Sequence, residues 1–532
     1  MRADLRAVAE QWLAEDPDPA TRDELRALLD ADDEPAVADR FAGRLAFGTA
    51  GLRGPLRAGP NGMNRAVVRR TAAGLAGYLR RTGTPGPVVI GYDARHGSAG
   101  FARDSAAVLT GAGFTAKVLP RPLPTPVLAF AVRLLGAAGG VMVTASHNPP
   151  QDNGYKVYGA DGAQIVPPVD AGIEAAVGAV GALRTVPMDD AYEVLGSEVL
   201  EAYLDRVAGV PLTPHRDLRT VHTALHGVGA GVLRAAFERA GFPAPAEVAE
   251  QADPDPDFPT TVFPNPEEPG ALDLALALAA DTDADLLVAN DPDADRCSLA
   301  IPTGTGWRQL TGDELGVLLA DHLVRAGRPG TYATTIVSSS MLGALCRRRG
   351  VPYGETLTGF KWIVRAAPDL AYGYEEALGY CVLPDAVLDK DGVSAALLAA
   401  DLAAALKADG RTLTDRLDEL AAELGVHATA PLTVRVKNLA EIGAAMARLR
   451  AEPPAVLLGR PVTAVDDLLP DADVVRLRAA GVRVVVRPSG TEPKLKAYLE
   501  VVVPGADVPA ARAEAAARLE QLEAELAPLL TG

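Results

Sequence analysis

Three aspartates alternate in the segment NDPDADR (290–296): Asp291, Asp293 and Asp295. An extended loop projects all three carboxylates to one side. Like charges held that close repel one another unless a cation or a proton intervenes. A hard divalent ion with oxygen ligands meets that need, and Mg²⁺ suits a site that also holds phosphate. The EF-hand alternative fails: its sixth position requires glycine and its twelfth glutamate, where Arg296 and Pro302 stand. The same aspartate spacing recurs in DPDPD (253–257), so spacing alone is a weak signal. Context separates the two. The 291–295 set directly follows the apolar run DLLVAN, at the carboxyl end of a predicted parallel strand, where α/β proteins bind ligands. The 253–257 set lies in a proline-rich stretch (253–269) that reads as an ordered surface loop.

A second strand-to-turn junction, VMVTASHNPPQDNGYKVYG (141–159), presents Ser146 and His147 together, with Lys156 farther along. The serine could be a nucleophile, but G-x-S-x-G is absent, which counts against an ordinary serine hydrolase. A turn-forming Ser and a hydrogen-bonded His fit this segment equally well. In RPSGTEPK (487–494), Arg487, the hydroxyls of Ser489 and Thr491 and the backbone around Gly490 make a phosphate cradle. The arginine supplies a bidentate fork and the glycine lets the chain approach the oxygens. Neither a Walker P-loop nor G-x-G-x-x-G occurs, so nucleotide-dependent kinases and dehydrogenases lose ground.

Four further turns carry polar groups. FGTAGLRG (47–54) delivers Arg53, and TLTGFKWI (356–363) presents Thr358, Gly359 and Lys361. GYEEALGY (373–380) places Glu375 and Glu376 in a loop, good acceptors for vicinal sugar hydroxyls, and LDKDGVSAA (388–396) sets Lys390 between Asp389 and Asp391. Taken singly each is an ordinary turn. Together they describe a cation site, a phosphate cradle and carboxylates for a polyol. Only 8 of the 51 basic residues are lysine; four of those (Lys156, Lys361, Lys390, Lys494) fall in these segments and Lys496 lies two residues beyond the last. A compact ammonium whose pKa can move on burial is what arginine cannot supply.

The elements that must position these turns are legible from pattern. Residues 1 to about 42 read as two helices, the second with Thr21 and Glu24 at capping-box spacing. From about 45 onward, β-branched runs alternate with Ala/Leu-rich helical stretches, as in VVIGYD followed by GFARDSAAVLTGAG, which indicates βαβ units and largely parallel sheets. The last hundred residues read as a small α+β unit, two adjacent strands and a terminal helix. A chain of 532 residues allows three or four domains, and 48% apolar residues supply their cores. The formal charge, 51 − 69 = −18, argues against nucleic acid or an anionic membrane as partner. Three scattered cysteines give neither a disulfide framework nor a zinc site, and no apolar run suits a signal or a bilayer span, so a cytoplasmic location is expected.

At this point the motifs resemble the α-D-phosphohexomutases (phosphoglucomutase/phosphomannomutase superfamily), from about 45 to 500. TASHNP is similar to that family's phosphoserine loop, DPDADR to its metal loop, GYEEALGY to its sugar-binding loop and RPSGTEPK to its phosphate-binding loop. The resemblance implies four domains around a central cleft: three related α/β units with mixed, mainly parallel sheets and a C-terminal α+β domain. Applied here, it gives a helical extension (1–44), a domain with the phosphoserine loop (45–205), one with the metal loop (206–322), one with the sugar loop (323–430) and the last with the phosphate loop (431–532). It implies a phosphorylated Ser146 whose oxygen joins Asp291, Asp293 and Asp295 around Mg²⁺. Arg53 and Arg296 flank the transferring group, and Arg487, Ser489, Gly490 and Thr491 hold the second phosphate. Thr358, Gly359, Lys361, Glu375, Glu376, Ala377 and Lys390 contact the sugar. Lys156, its pKa pushed toward neutrality, moves the proton while His147 assists or orients the loop.

The implied reaction interconverts hexose 1-phosphate and 6-phosphate through a bisphosphorylated sugar, which also serves as activator; the expected partner is a small phosphosugar, and the state a monomer or homodimer. Many members carry serine where Ala377 stands, which disfavours the phosphoglucosamine mutase branch. FGTAGLRG, TGFKWI and DKDG look more like bacterial phosphoglucomutases and the related phosphopentomutases. Phosphomannomutase or phosphopentomutase activity is the nearest rival, followed by a metal-dependent phosphatase and a non-catalytic phosphosugar sensor. The mutase reading requires Ser146 to be accessible and close to the aspartate bend.

Overall fold

The computed structural model of the chain describes residues 1–48, 51–435, 439–488 and 494–531. It divides into two compact units, Met1–Leu310 with Leu378–Ala405, and Thr311–Ala377 with Leu406–Gly532.

The first unit opens with three helices, Ala3–Glu15, Pro19–Asp30 and Glu34–Arg40, where pattern alone predicts two. The third is only seven residues long, too short for a clear apolar period, and is set off by Asp33, whose side chain accepts from Ala36 N. The capping box expected at Thr21 does not form. Asp18 caps the second helix instead, Thr21 donates to Asp16, and Glu24 accepts from Arg40 and from Ala58 N.

Two α/β sheets follow in this unit. In the first the strands lie in the order Leu52–Pro55, Asp152–Gly159, Gly139–Val143, Val88–Tyr92, Ala116–Val118 and Glu193–Val194. Its first two pairings are antiparallel and the rest parallel. Val88, Val89, Ile90, Val141, Met142 and Val143 are wholly buried, as expected of parallel strands covered by helices on both faces. Burying each such side chain contributes about 1.5–3 kcal/mol before the entropy of ordering it is counted. The second sheet runs Gly306–Gln309, Ser298–Thr303, Leu286–Ala289, Thr220–Thr223, Ala246–Glu247, antiparallel in its first two pairings and parallel in the others.

In the second unit, strands Tyr353–Thr356, Thr331–Thr335 and Leu370–Glu375 pair in parallel. Beyond them lies a six-stranded sheet, antiparallel throughout, in the order Val426–Arg435, Lys494–Val503, Val482–Pro488, Val475–Ala479, Arg460–Asp467, Val456–Leu457, packed on the helix Val508–Thr531. Among the described residues, no helix is long and apolar enough to cross a membrane.

Candidate active site

In the first unit, two loops leave the carboxyl ends of two parallel strands and meet. One follows Gly139–Val143 and carries Ser146; the other follows Leu286–Ala289 and carries the aspartates. Ser146 sits at φ +53°, in the left-handed region. For a residue with a Cβ this costs roughly 1–2 kcal/mol, so the surroundings must hold it. Its amide donates to Thr144 Oγ1 (2.8 Å), and its Oγ donates to Asp291 Oδ2 at 2.6 Å, with His147 Nδ1 3.2 Å away.

Across the aspartate bend, one carboxylate oxygen from each of Asp291, Asp293 and Asp295 lies within 4.8 Å of the others, and all three residues are buried. Asp291 Oδ1 accepts from Arg296 N (3.1 Å) and Ala294 takes φ +51° to turn the chain, which aims the alternating side chains inward. Lys156 Nζ, from the strand beside the serine loop, donates to Asp293 Oδ2 (2.7 Å) and Asp295 Oδ2 (2.9 Å), and Lys390 Nζ lies 3.4 Å from Asp295 Oδ2. Thr125 contributes twice: its Oγ1 donates to Asp293 Oδ2 at 2.6 Å and its amide to the Asp293 carbonyl at 2.9 Å. Among the described residues, Asp293 Oδ1 and Asp295 Oδ1 are buried without a hydrogen-bond donor, though Arg296 Nε lies 3.9 Å from Asp295 Oδ1. Burial and the charges of Asp293 and Asp295 push Asp291 well above the usual carboxylate range. Orphaned buried oxygens and a carboxylate driven toward protonation by its neighbours are what a hard divalent cation relieves. The donor set fits such an ion. The control segment behaves differently: Asp253 and Asp257 are exposed, and Asp257 pairs with His96 at 2.7 Å.

Two expectations need correction. Ser146 is not open to solvent; it is 1% exposed, because its hydroxyl is turned onto a carboxylate that is itself fully buried. Proximity to the aspartates holds, and accessibility does not. Nor is the Lys156 ammonium pushed toward neutrality. Burial pulls its pKa down, but Asp293 and Asp295 attract the charge more strongly and leave it above the ordinary lysine value. His147 is the group shifted the other way. Burial, with Arg296 and Arg53 nearby, lowers it well below the usual imidazole value, so the ring is neutral near pH 7.

Arg53 enters from the edge strand Leu52–Pro55 and donates from Nη1 to Asn148 Oδ1 (3.3 Å). Gly51, at φ +87°, allows this approach, since a Cβ there would meet the Tyr155 carbonyl at 2.4 Å. The neighbours of Lys390 are anchored as well. Asp389 accepts from Tyr158 Oη (2.8 Å) and Gln164 Nε2 (2.9 Å), and Asp391 from Tyr203 Oη (2.8 Å). Segment 388–391 is thus built into the surroundings of the aspartates.

The remaining predicted residues belong to the second unit. Thr358, Gly359 and Lys361 follow the strand Tyr353–Thr356, and Glu375, Glu376 and Ala377 end or follow Leu370–Glu375, so both groups lie at the carboxyl edge of one parallel sheet. Glu376 Oε2 accepts from Ser338 Oγ (2.9 Å) and Thr335 Oγ1 (3.2 Å). Arg487 Nη2 donates to Tyr498 Oη (3.4 Å), and Arg487 Nε is buried without an acceptor among the described residues, which suits an anion. Burial, and then the charge of Glu376, raises the Tyr498 phenol above its ordinary value, so that ring lies in the field of Glu376 and of Arg487 alike. Ser489, Gly490 and Thr491 lie outside the described residues. Thr125, Ser338, Tyr158 and Tyr203 escape sequence reasoning. Thr125, Ser338 and Tyr203 lie in no motif, Tyr158 stands near the end of the serine segment with no signal of its own, and only contact in space gives these common residue types meaning.

Four family profiles cover the chain in order: phosphoglucomutase/phosphomannomutase alpha/beta/alpha domain I over residues 44–182, domain II over 201–304, domain III over 311–424 and the C-terminal domain over 432–525. The chain belongs to the phosphoglucomutase/phosphomannomutase family. Among its relatives is a probable phosphomannomutase of Haemophilus influenzae, 46% identical over 452 residues, covering 82% of this chain and 93% of that protein. A mouse phosphopentomutase is 34% identical over 95% of this chain and 91% of its own length. A phosphoglucomutase of Staphylococcus haemolyticus is 34% identical over 87% and 91%. Family membership makes the four-domain reading firm, three mixed, mainly parallel α/β domains and a C-terminal antiparallel one. It also marks the chain as one of the phosphosugar mutases.

Proposed function

We propose that this member is a phosphoglucomutase-type enzyme that interconverts hexose 1-phosphate and hexose 6-phosphate through a phosphorylated Ser146. The observation that carries the reading is the Ser146 hydroxyl, 2.6 Å from the first of three clustered, buried aspartates. Phospho-Ser146 transfers its phosphoryl group to the free hydroxyl of the bound sugar phosphate. The P–Oγ bond breaks, a P–O bond forms at the sugar, and the hydroxyl proton ends on the serine. The bisphosphorylated sugar then reorients and returns its other phosphoryl group to Oγ, so the net change is an isomerisation. The same bisphosphate, supplied in trace, primes unphosphorylated enzyme.

Asp291, Asp293, Asp295 and the Ser146 phosphate would hold Mg²⁺, which when bound neutralises charge on the transferring group. His147, neutral and beside Oγ, is the group able to carry the proton. Lys156 and Lys390 act as fixed positive charges that keep the aspartates apart in energy, and Arg53 and Arg296 flank the phosphoryl group. Arg487 with 489–491 would take the second phosphate, and Thr358, Lys361, Glu375 and Glu376 the sugar hydroxyls. Ser146 is buried against Asp291, contrary to the accessibility asked of it, so the reading rests on its proximity to the aspartates and on family membership, and phosphorylation has to part that pair.

Two further sugars have specific support. The 46% relative is named for mannose phosphate and the mouse relative for pentose phosphate. Steady-state kinetics on glucose, mannose and ribose 1-phosphates, with Mg²⁺ and trace bisphosphate, ranks them. Intact mass should reveal one phosphate on the wild-type chain and none on Ser146→Ala, which should lack turnover while keeping its fold. Undiminished turnover in Ser146→Ala sinks the proposal, and stoichiometric release of inorganic phosphate points to a phosphatase.

A further inference from the structure

Arg95 belongs to none of the motifs, yet its guanidinium binds the serine loop at four points. Nη2 donates to the carbonyls of Ser146 (2.6 Å) and Asn148 (2.5 Å), and Nη1 to those of Pro149 (2.7 Å) and Asp152 (3.2 Å). The residue is 4% exposed. It is aimed by Asp93, whose Oδ2 lies 3.6 Å from Nε and whose Oδ1 accepts from the Arg95 amide (3.0 Å) and from Ser98 Oγ (2.6 Å). The Phe258 ring, from the proline-rich segment, lies against the guanidinium with its centroid 4.9 Å away.

Four carbonyls from seven consecutive residues converge on one planar fork, and the first belongs to the residue held at φ +53°. A lysine offers one nitrogen and cannot span them. We infer that Arg95 is a positioning residue: by gathering the carbonyls of residues 146–152, it fixes the strained loop so that Ser146 Oγ points at the aspartate bend. This rests on the mutase reading for its kinetic consequence, though the geometry stands independently of it. Misplacement by about 1 Å costs on the order of a hundredfold in a transfer step.

The test is single-turnover transfer from phospho-Ser146 to saturating hexose 1-phosphate, read as a first-order rate constant. That constant is independent of the folded fraction, which appears in the amplitude, so a loss of stability alone leaves it unmoved. Arg95→Lys should lower it at least tenfold, with KM for the sugar phosphate within twofold. A rate constant within twofold of wild type overturns the inference. If Arg95→Lys yields no folded protein, Asp93→Asn keeps the arginine but removes the charge that aims it; a fall of threefold or more is expected, and an unchanged constant overturns the inference. A wild-type chain that takes up no phosphate defeats the mutase reading, not the fork. The fork is then judged by amide exchange in 147–152, which should quicken tenfold or more in Arg95→Lys; unaltered exchange there overturns it.

Discussion

Each aspartate of the bend has a different balance of charge. Asp293 is held below the ordinary carboxylate range because Lys156 outweighs its burial, while burial and then the charges of Asp293 and Asp295 hold Asp291 well above, against the opposing pull of Arg296 and Ser146. A divalent cation held by the three would favour the ionised form of Asp291 as well. Removing one negative ligand should therefore weaken metal binding and turnover together. Asp293→Asn should cost about 3 kcal/mol of transition-state stabilisation, roughly a hundredfold in rate, and should lower Mg²⁺ affinity measured by titration calorimetry. Asp255→Asn, in the stretch with the same spacing, should change neither. A near-normal rate in Asp293→Asn would count against the metal role.

Between elements, the second unit contains a buried carboxylate that makes its stability depend on pH. Asp313 opens the helix Gly312–Arg325 and accepts from Ser339 N (2.7 Å) and Tyr374 Oη (3.0 Å). Burial, with Glu376 and Glu500 nearby, raises its pKa to about 7. Since the folded value exceeds the unfolded one, the folded state binds the extra proton between about pH 4 and 7. Its contribution is complete below the unfolded value and is lost as pH rises through about 7, by up to a few kcal/mol. Asp313→Asn cannot ionise. Denaturant midpoints should show the variant gaining on wild type from pH 5 to pH 8; a gap that does not change with pH would refute the assignment. Sequence offers no hint of this residue, since an aspartate in a first helical turn is commonplace.

At the scale of the whole molecule, two compact units should unfold in more than one step, because two-state behaviour belongs to small single domains. Calorimetry should give a van't Hoff enthalpy below the measured one. Mg²⁺ at a hundred times its dissociation constant should raise only the transition of the unit containing 291–295, by about 2.7 kcal/mol of added stability. One cooperative transition that shifts as a whole would be the contrary result.

The sequence by itself determined the class of fold and the family, and it singled out the residues proposed for the site. Those signals are local: period-2 and period-3.6 patterning marks strands and helices, and DPDADR stands out by its alternating carboxylates, although a left-handed turn at Ala294 is what gathers them. Only the tertiary structure decided which charges compensate one another. Lys156 and Asp293 are 137 residues apart in the chain, and their 2.7 Å contact reverses the pKa shift expected of a buried lysine. Thr125 and Arg95 gain their roles the same way, through the Asp293 carboxylate and the serine loop respectively. Hydrogen bonding needs contact and Coulomb attraction weakens with distance in space, so their outcome depends on which residues folding brings together and not on their separation along the chain.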